Sequence, residues 1–95
     1  MTFPRLSFEF DPAKAASNLK NHGVNFDEAA TVFDDPLSST LPDDQHSDEE
    51  IRFITVGMSV KQRLFFVVYT ERGSRIRLIG ARLVTAAERE QYEQS

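Results

Sequence analysis

Arginines are concentrated in one part of the chain and offer the clearest chemistry in the sequence. Residues 63–82 contain five arginines and a single acidic residue, Glu71. The five are Arg63, Arg72, Arg75, Arg77 and Arg82. A guanidinium group is planar, binds phosphate through two N–H groups and stays charged at any physiological pH. Because these arginines fall on two consecutive predicted strands and the turn between them, we expect them to gather in one small anion-binding region.

The formal net charge of −4 is unevenly distributed along the chain. Residues 21–51 contain nine acidic side chains and no lysine or arginine, whereas residues 52–82 contain seven basic side chains and one acidic one. Two interpretations are open. Either the two blocks pair with each other across a small fold, as solvated surface charges often do, or the basic block forms a surface that meets phosphates or an acidic partner.

A basic surface could cleave an RNA strand without a metal ion. Guanidinium groups would offset the charge on a pentavalent phosphate, while a base removes the ribose 2′-hydroxyl proton and an acid protonates the departing oxygen. His22, beside Lys20, could exchange a proton near neutral pH. A histidine in the last turn of a helix also interacts favourably with the helix dipole, so His22 has a structural interpretation as well. His46 lies in an acidic loop, where we expect it to be solvent-exposed.

Other chemistries lack the residues they need. The chain has no cysteine and two histidines, which excludes a disulfide framework, a thiol nucleophile and a Cys-based zinc site, and argues against a metal centre. Motifs for nucleotide hydrolysis, dinucleotide binding, zinc proteolysis and serine esterase chemistry are absent from the sequence. The longest apolar run, residues 64–69, is far shorter than a membrane span. We expect no cofactor, and a soluble, cytoplasmic protein whose residues 1–95 form a single domain.

The first strand and helix are predicted from local patterns. Residues 5–10 alternate between polar and apolar side chains, which is typical of a half-buried strand. Asp11 is a favoured N-cap, Pro12 is tolerated at the first helical position, and Gly23 can end a helix in the left-handed conformation. The first helix is therefore expected over residues 12–21.

A second helix and a long loop follow. Asn25 is the predicted N-cap, Glu28 stands in the capping-box position, and Pro36 lies just after the predicted end of the helix. Residues 37–50 are predicted to be a loop, with at most a brief edge strand around Leu41.

The rest of the chain indicates a small sheet and a final helix. Three strands are predicted over residues 52–58, 63–70 and 75–82, joined by hairpin-length turns, and the middle strand is expected to be central and covered on both faces. A capping box at residues 85–88 begins a helix that reaches about residue 94. The order of elements predicts an α+β fold: a small antiparallel sheet, made of the meander 52–82 and the N-terminal strand, packed with two N-terminal helices and one short C-terminal helix.

Specific motifs run through both halves of the sequence. The N-terminal half contains Phe8-Glu9-Phe10-Asp11-Pro12-Ala13-Lys14-Ala15, Asn18-Leu19-Lys20-Asn21-His22-Gly23-Val24, Phe26-Asp27-Glu28-Ala29 and Val32-Phe33-Asp34-Asp35-Pro36. The C-terminal half contains Glu50, Arg52, Val56-Gly57, Ser59, Arg63-Leu64, Val67-Val68-Tyr69-Thr70-Glu71-Arg72-Gly73, Arg75-Ile76-Arg77-Leu78-Ile79-Gly80-Ala81-Arg82, Glu88-Arg89 and Tyr92. Together these motifs resemble the BrnT family over residues 8–92.

The resemblance implies a function and a partner. It implies a type II toxin, a ribonuclease with a fold related to the RelE and ParE toxins. Such a toxin is held inactive by a BrnA-type antitoxin that carries a ribbon-helix-helix DNA-binding part. The resemblance thus implies an RNA substrate and a toxin–antitoxin hetero-oligomer that contacts DNA only through the antitoxin. An acidic or amphipathic antitoxin segment would cover the basic surface of the toxin.

These arguments yield a set of candidate site residues and leave two functions open. The candidate catalytic residues are Lys20, His22, Arg63, Arg75 and Arg77. The candidate RNA-binding residues are Lys61, Arg72 and Arg82, and no metal ligands are assigned. The chain is either an endoribonuclease or a non-catalytic module that acts with its antitoxin in a DNA-binding repressor complex.

Overall fold

A five-stranded sheet lies at the centre of the computed structural model, which describes residues 6–45 and 50–94. Its strands are β1 (Ser7–Glu9), β2 (Ser39–Pro42), β3 (Arg52–Met58), β4 (Leu64–Arg72) and β5 (Arg75–Leu83). They are arranged in the order β1-β5-β4-β3-β2. The expected α+β class and the three-strand meander are confirmed, and Arg5 of the predicted first strand lies outside the described residues.

The sheet is mixed, so the expectation of a fully antiparallel sheet is wrong. Strands β2 to β5 pair in antiparallel fashion, but β1 pairs with β5 in parallel, with Phe8 opposite Ile76. Tight hairpins require antiparallel neighbours, whereas β1 and β5 are joined by most of the chain and are free of that constraint.

The helices begin and end close to the predicted positions. Helix α1 (Pro12–His22) starts at Asp11, whose side chain accepts a hydrogen bond from the Ala13 amide at 2.9 Å, and ends at Gly23, whose φ is 68°. Helix α3 (Ala86–Gln94) begins with the predicted capping box.

The second helix departs from its prediction. Helix α2 (Phe26–Ala30) is only five residues long and continues as a 3₁₀ turn over Thr31–Asp34. The Thr31 hydroxyl donates a hydrogen bond to the Glu28 carbonyl at 2.6 Å, a local contact that competes with regular helix bonding. The Glu28 side chain does not form a capping box, because it is engaged by β3–β4 as described below.

The hydrophobic core lies between one face of the sheet and the first two helices. Phe26, Val24 and Val32 pack against Phe65 and Leu78, and all five side chains are at most 1% exposed. Aromatic rings extend this core toward β1 and β3, with Phe8, Phe33, Tyr69 and Phe53 in successive contact. This face follows the period-2 alternation of β4, which places Phe65, Val67 and Tyr69 on the helix side.

The opposite face of the sheet is only partly covered, and we call it the open face. Helix α3 covers one end of it, while Ile54, Phe66, Val68 and Ile79 remain partly exposed. The prediction that β4 is central is confirmed, but its predicted coverage on both faces holds only where α3 lies. No helix in the described part of the chain is long and apolar enough to cross a membrane.

A short strand occupies the predicted loop. Strand β2 pairs with β3, with Leu41 opposite Ile54, and the hydroxyl groups of Thr40 and Thr55 lie 2.8 Å apart. The brief edge strand expected around Leu41 is therefore present, and its residues are all exposed.

The side chain of Asn18 completes the sheet edge that β1 leaves open. Strand β1 pairs with only three residues of β5, so the outer edge of β5 has no strand neighbour at Ala81. The Asn18 amide donates to the Ala81 carbonyl at 2.8 Å and accepts from the Ala81 N–H at 3.0 Å. It also donates to the Val24 carbonyl at 3.0 Å. One side chain thus joins α1, the loop after it and β5.

We expect Asn18→Leu to destabilise the protein, because the substitution leaves the Ala81 N–H and carbonyl without partners. Each unsatisfied buried group costs about 1–3 kcal/mol. The control is Asn21→Leu, since Asn21 is exposed and its amide contacts only Ser17, at 3.4 Å. Urea unfolding should show a clear loss for Asn18→Leu and a change within about 0.5 kcal/mol for Asn21→Leu. Equal losses in both variants would contradict this role.

Candidate nucleic-acid interface

Four arginines lie at one end of the open face, and we call them the arginine cluster: Arg52, Arg72, Arg75 and Arg77. Directly opposite residues in an antiparallel pair share a face of the sheet. Arg52 lies opposite Thr70, which in turn lies opposite Arg77. Arg72 lies opposite Arg75. The register therefore brings basic residues from three strands to the same end of the same face.

Two arginines of this cluster lie directly opposite each other across a tight turn. Arg72 and Arg75 bracket Gly73 and Ser74, and Gly73 has a φ of 59°, the left-handed conformation that glycine adopts without strain. Like charges directly opposite each other destabilise a sheet. An anion bound between the two guanidinium groups would remove that repulsion.

Arg72 and Arg77 have acidic partners among the described residues, and Arg52 is also engaged. Arg72 contacts Glu50 at 3.1 Å and Arg77 contacts Glu9 at 2.8 Å. Arg75 is exposed, and the structure shows no ion pair for it within residues 6–45 and 50–94. Arg75 therefore has its guanidinium available to an external anion.

The expectation that all five arginines form one small region is wrong. Arg63 precedes β4 and Arg72 ends it, so the nine residues of β4 separate them by about 30 Å. Arg63 lies on the helix side of the sheet, with its guanidinium 4.9 Å from the centre of the buried Phe65 ring. Sequence spacing groups these residues, but the length of the strands keeps them apart.

Arg82 is on the open face but is held beside α3. Its guanidinium lies 3.8 Å above the centre of the Phe66 ring and makes two hydrogen bonds to the Glu88 carboxylate, at 2.8 and 3.0 Å. The carboxylate of Glu88 raises the pKa of Arg82, and the guanidinium lowers the pKa of Glu88. This contact fastens the start of α3 to the sheet.

A buried carboxylate joins α2 to the β3–β4 turn. Glu28 is 7% exposed and accepts hydrogen bonds from Arg63 at 2.6 and 3.0 Å and from the Ser59 hydroxyl at 2.7 Å. The hydrogen bonds from Arg63 lower the pKa of Glu28 and outweigh the opposing effect of burial. Glu28 therefore stays charged, and Arg63 serves as its partner in this position.

Both interpretations of the charge pattern describe part of the molecule. Arg63 and Arg72 pair with Glu28 and Glu50, which belong to the acidic block. Arg77 pairs with an acid outside that block, and Arg75 remains available on the open face.

The other candidate residues lie apart from the arginine cluster. Lys20 and His22 are exposed in the last turn of α1, a helix that meets β5 at Ala81. Within the described ranges, neither side chain forms a hydrogen bond or ion pair with an arginine. Lys61 is exposed in the turn between β3 and β4, on the side of Glu28. His46 lies outside the described residues.

Two features of this surface escaped the sequence reasoning. Arg52 is not among the candidate site residues predicted from the sequence, and its place in the cluster follows from the β3–β4 register. The Tyr92 hydroxyl donates a hydrogen bond to the Asp35 carboxylate at 2.6 Å. This contact joins α3 to the residue that directly follows the 3₁₀ turn. Burial raises the pKa of Asp35, but hydrogen bonds from Tyr92 and two amides outweigh it, and the net pKa is lowered. The same contact raises the pKa of Tyr92 to about 12.

Comparisons with known proteins agree with this architecture. A family model described as "Ribonuclease toxin, BrnT, of type II toxin-antitoxin system" matches residues 10–88. The fold is similar to the crystal structure of the Brucella abortus ribonuclease toxin BrnT, with a TM-score of 0.66 and 17% sequence identity over 85% of this chain and 99% of that one. A search of curated proteins gives no match. The expected relation to RelE and ParE toxins stays a prediction.

We expect Glu28→Gln to lower the free energy of unfolding at neutral pH by about 1.5–3 kcal/mol, the usual value of a hydrogen bond to a charged group. The loss should lie toward the lower end, because the Arg63 side chain is 39% exposed and solvent screens the pair. The control is Asp27→Asn, since Asp27 is an exposed acid on the same helix.

The pH dependence gives a second check on the same variant. Because the pKa of Glu28 is lowered from 4.5, its contribution is complete above that value and is lost as the pH falls through the lower folded-state pKa. Unfolding at about pH 7 should therefore separate Glu28→Gln from the parent protein more than unfolding at about pH 3. A difference that is the same at both pH values would contradict a charged Glu28.

Proposed function

Because the chain belongs to the BrnT family of ribonuclease toxins of type II toxin–antitoxin systems, we propose that it is an endoribonuclease whose arginine cluster binds the phosphates of RNA. The observation that carries this assignment is the position of Arg75. It is an exposed arginine directly opposite Arg72, two residues from Arg77 on the same face. Paired guanidinium groups offer the bidentate contacts that a phosphate accepts.

The proposed reaction is a transesterification within the RNA strand. A base takes the proton of the ribose 2′-hydroxyl, and the 2′-oxygen forms a bond to the adjacent phosphorus. The bond from phosphorus to the 5′-oxygen breaks, and an acid protonates that oxygen. Guanidinium groups of the arginine cluster would stabilise the extra negative charge on the phosphate in the transition state.

The proton-transfer groups remain predictions. Lys20 and His22 carry suitable chemistry but lie at the end of α1. Arg63 is a further candidate whose guanidinium is held by Glu28. We propose RNA contacts for Lys61 and Arg82, since both lie beyond the cluster on surfaces that a longer strand could reach.

We also propose that the reaction needs no metal ion. The chain has no cysteine and two histidines that stand far apart in sequence, so the usual ligands of a catalytic transition metal are scarce. The guanidinium groups supply positive charge at the phosphate, which is the role a metal would otherwise take.

The proposed partner is a BrnA-type antitoxin with a ribbon-helix-helix part. The toxin would join DNA only through this antitoxin, in a hetero-oligomer in the cytoplasm. If the chain is instead a non-catalytic member of the repressor complex, its expression without the antitoxin will not arrest growth.

RNA cleavage by the purified protein should continue in excess EDTA and leave 2′,3′-cyclic phosphate or 3′-phosphate ends. Both results follow from attack by the ribose 2′-hydroxyl without a metal ion. Fragment ends can be identified by mass spectrometry. Activity that stops in EDTA and returns with a divalent ion would contradict metal independence, and 3′-hydroxyl ends would exclude the 2′-hydroxyl route.

Arg75→Ala should reduce RNA cleavage without lowering the melting temperature, because Arg75 has no ion pair with the residues the structure describes and lies opposite the like charge of Arg72. Loss of a charge-assisted contact costs about 1–3 kcal/mol, which corresponds to roughly 5-fold to 150-fold in rate. Arg77→Ala should reduce cleavage similarly and also lose the contact with Glu9.

The matched control for these variants is Arg89→Ala. Arg89 is an exposed arginine on α3, so its removal makes the same change in net charge away from the arginine cluster. It should retain the parent activity. If Arg75→Ala and Arg89→Ala cleave RNA equally well per folded molecule, the cluster is not the phosphate site.

A further inference from the structure

A groove crosses the open face between α3 and the edge strand β2. It has a volume of about 230 Å³, and its lining includes Leu41, Ile54, Val56, Phe66, Gln91 and Tyr92. A second depression shares Ile54 and Phe66 with it and continues past Val68 to Arg52. The two form one path from α3 to the arginine cluster.

The α3 end of this path is apolar and open to solvent. Leu41 is 66% exposed, although it lies opposite Ile54 in the sheet. Val56 and Phe66 are also partly exposed. A partner that removes such apolar surface from water is stabilised by its burial.

Resting on the function proposed above, we propose that this groove is the docking surface for the antitoxin. The segment that fits it carries apolar side chains for the depression at Leu41 and acidic side chains that reach the arginine cluster. Charge complementarity supports this occupant, because the path leads to the end of the open face where Arg75 is exposed. Asp43 and Glu88 also line the path, so the acidic side chains of the partner would lie at the arginine cluster and its apolar side chains along the groove. Such a segment would shield the proposed phosphate site from RNA.

The groove is less suited to an RNA base. An RNA base stacks on an aromatic ring. Two rings line the groove: Phe66, one face of which is covered by the Arg82 guanidinium at 3.8 Å, and Tyr92, whose hydroxyl is held by Asp35. The aliphatic side chains of Leu41, Ile54 and Val56 suit apolar side chains of a protein segment.

The test uses Leu41→Gln in the full chain. The probe is the purified antitoxin protein of the same toxin–antitoxin system, and its affinity is measured by titration calorimetry. Loss of a buried leucine contact should weaken binding by at least about 10-fold. Because Gln adds no charge and Leu41 lies outside the arginine cluster, RNA cleavage should be unchanged.

Leu19→Gln is the matched control. Leu19 is 50% exposed on α1, so the same substitution is made at an exposed leucine on the helix side of the sheet. It should bind the antitoxin like the parent chain. Unchanged affinity for Leu41→Gln, or an equal loss in both variants, would overturn the proposal. Loss of RNA binding with unchanged antitoxin affinity would assign the groove to RNA and overturn it as well.

The docking proposal and the ribonuclease proposal can fail separately. If the parent chain binds the antitoxin through Leu41 but does not cleave RNA, the docking surface is supported and the ribonuclease assignment fails. If the parent chain cleaves RNA and Leu41→Gln binds the antitoxin with full affinity, the reverse conclusion holds.

Discussion

The architecture depends on one irregularity in the pairing of β4 with β5. Tyr69 lies opposite Leu78 and Val68 lies opposite Gly80, so Ile79 is an extra residue in β5. Side chains alternate with a period of two, and without this bulge Leu78 and Ala81 would point to opposite faces. Because of the bulge, both are buried against the helices. The same shift leaves the arginines on both sides of the bulge facing away from the core.

Because of this register, the two faces of the sheet are covered to different extents. The helix side holds the core, where α2 and the 3₁₀ turn bury Phe26 and Val32, whereas α3 on the open face has no buried residue among those described. The open face keeps a band of partly exposed apolar side chains between α3 and the arginine cluster. A charged end and an apolar end thus share one surface, which suits an RNA strand at one end and a protein segment along the whole path.

Charges on the two sides of the sheet serve different purposes. Glu28 is buried, and its burial is tolerated because Arg63 and Ser59 satisfy its oxygens. Asp35 is likewise satisfied by the Tyr92 hydroxyl and by backbone amides. On the open face Arg75 is exposed to solvent and balances no buried charge. It can therefore exchange bound water for an external anion without disturbing the fold.

The sequence by itself determined the local elements. The caps at Asp11, Gly23 and Thr85 depend on neighbours within a few residues, so α1 and α3 follow their predictions closely. The three strands of the meander and the opposed faces of Ile76 and Arg77 follow from alternation and short turns. The resemblance to the BrnT family was also readable from motifs, and the family match confirms it.

Only the tertiary structure decided which residues meet across the fold. The parallel pairing of β1, the bulge at Ile79 and the contact of Asn18 with Ala81 join residues that are far apart in the chain, and no local pattern encodes them. The same holds for the arginines. Spacing in the sequence groups Arg63 with the others, but the length of β4 separates it from them. The buried carboxylate of Glu28 binds Arg63 on the helix side of the sheet, because a buried charge without a partner would strongly destabilise the fold.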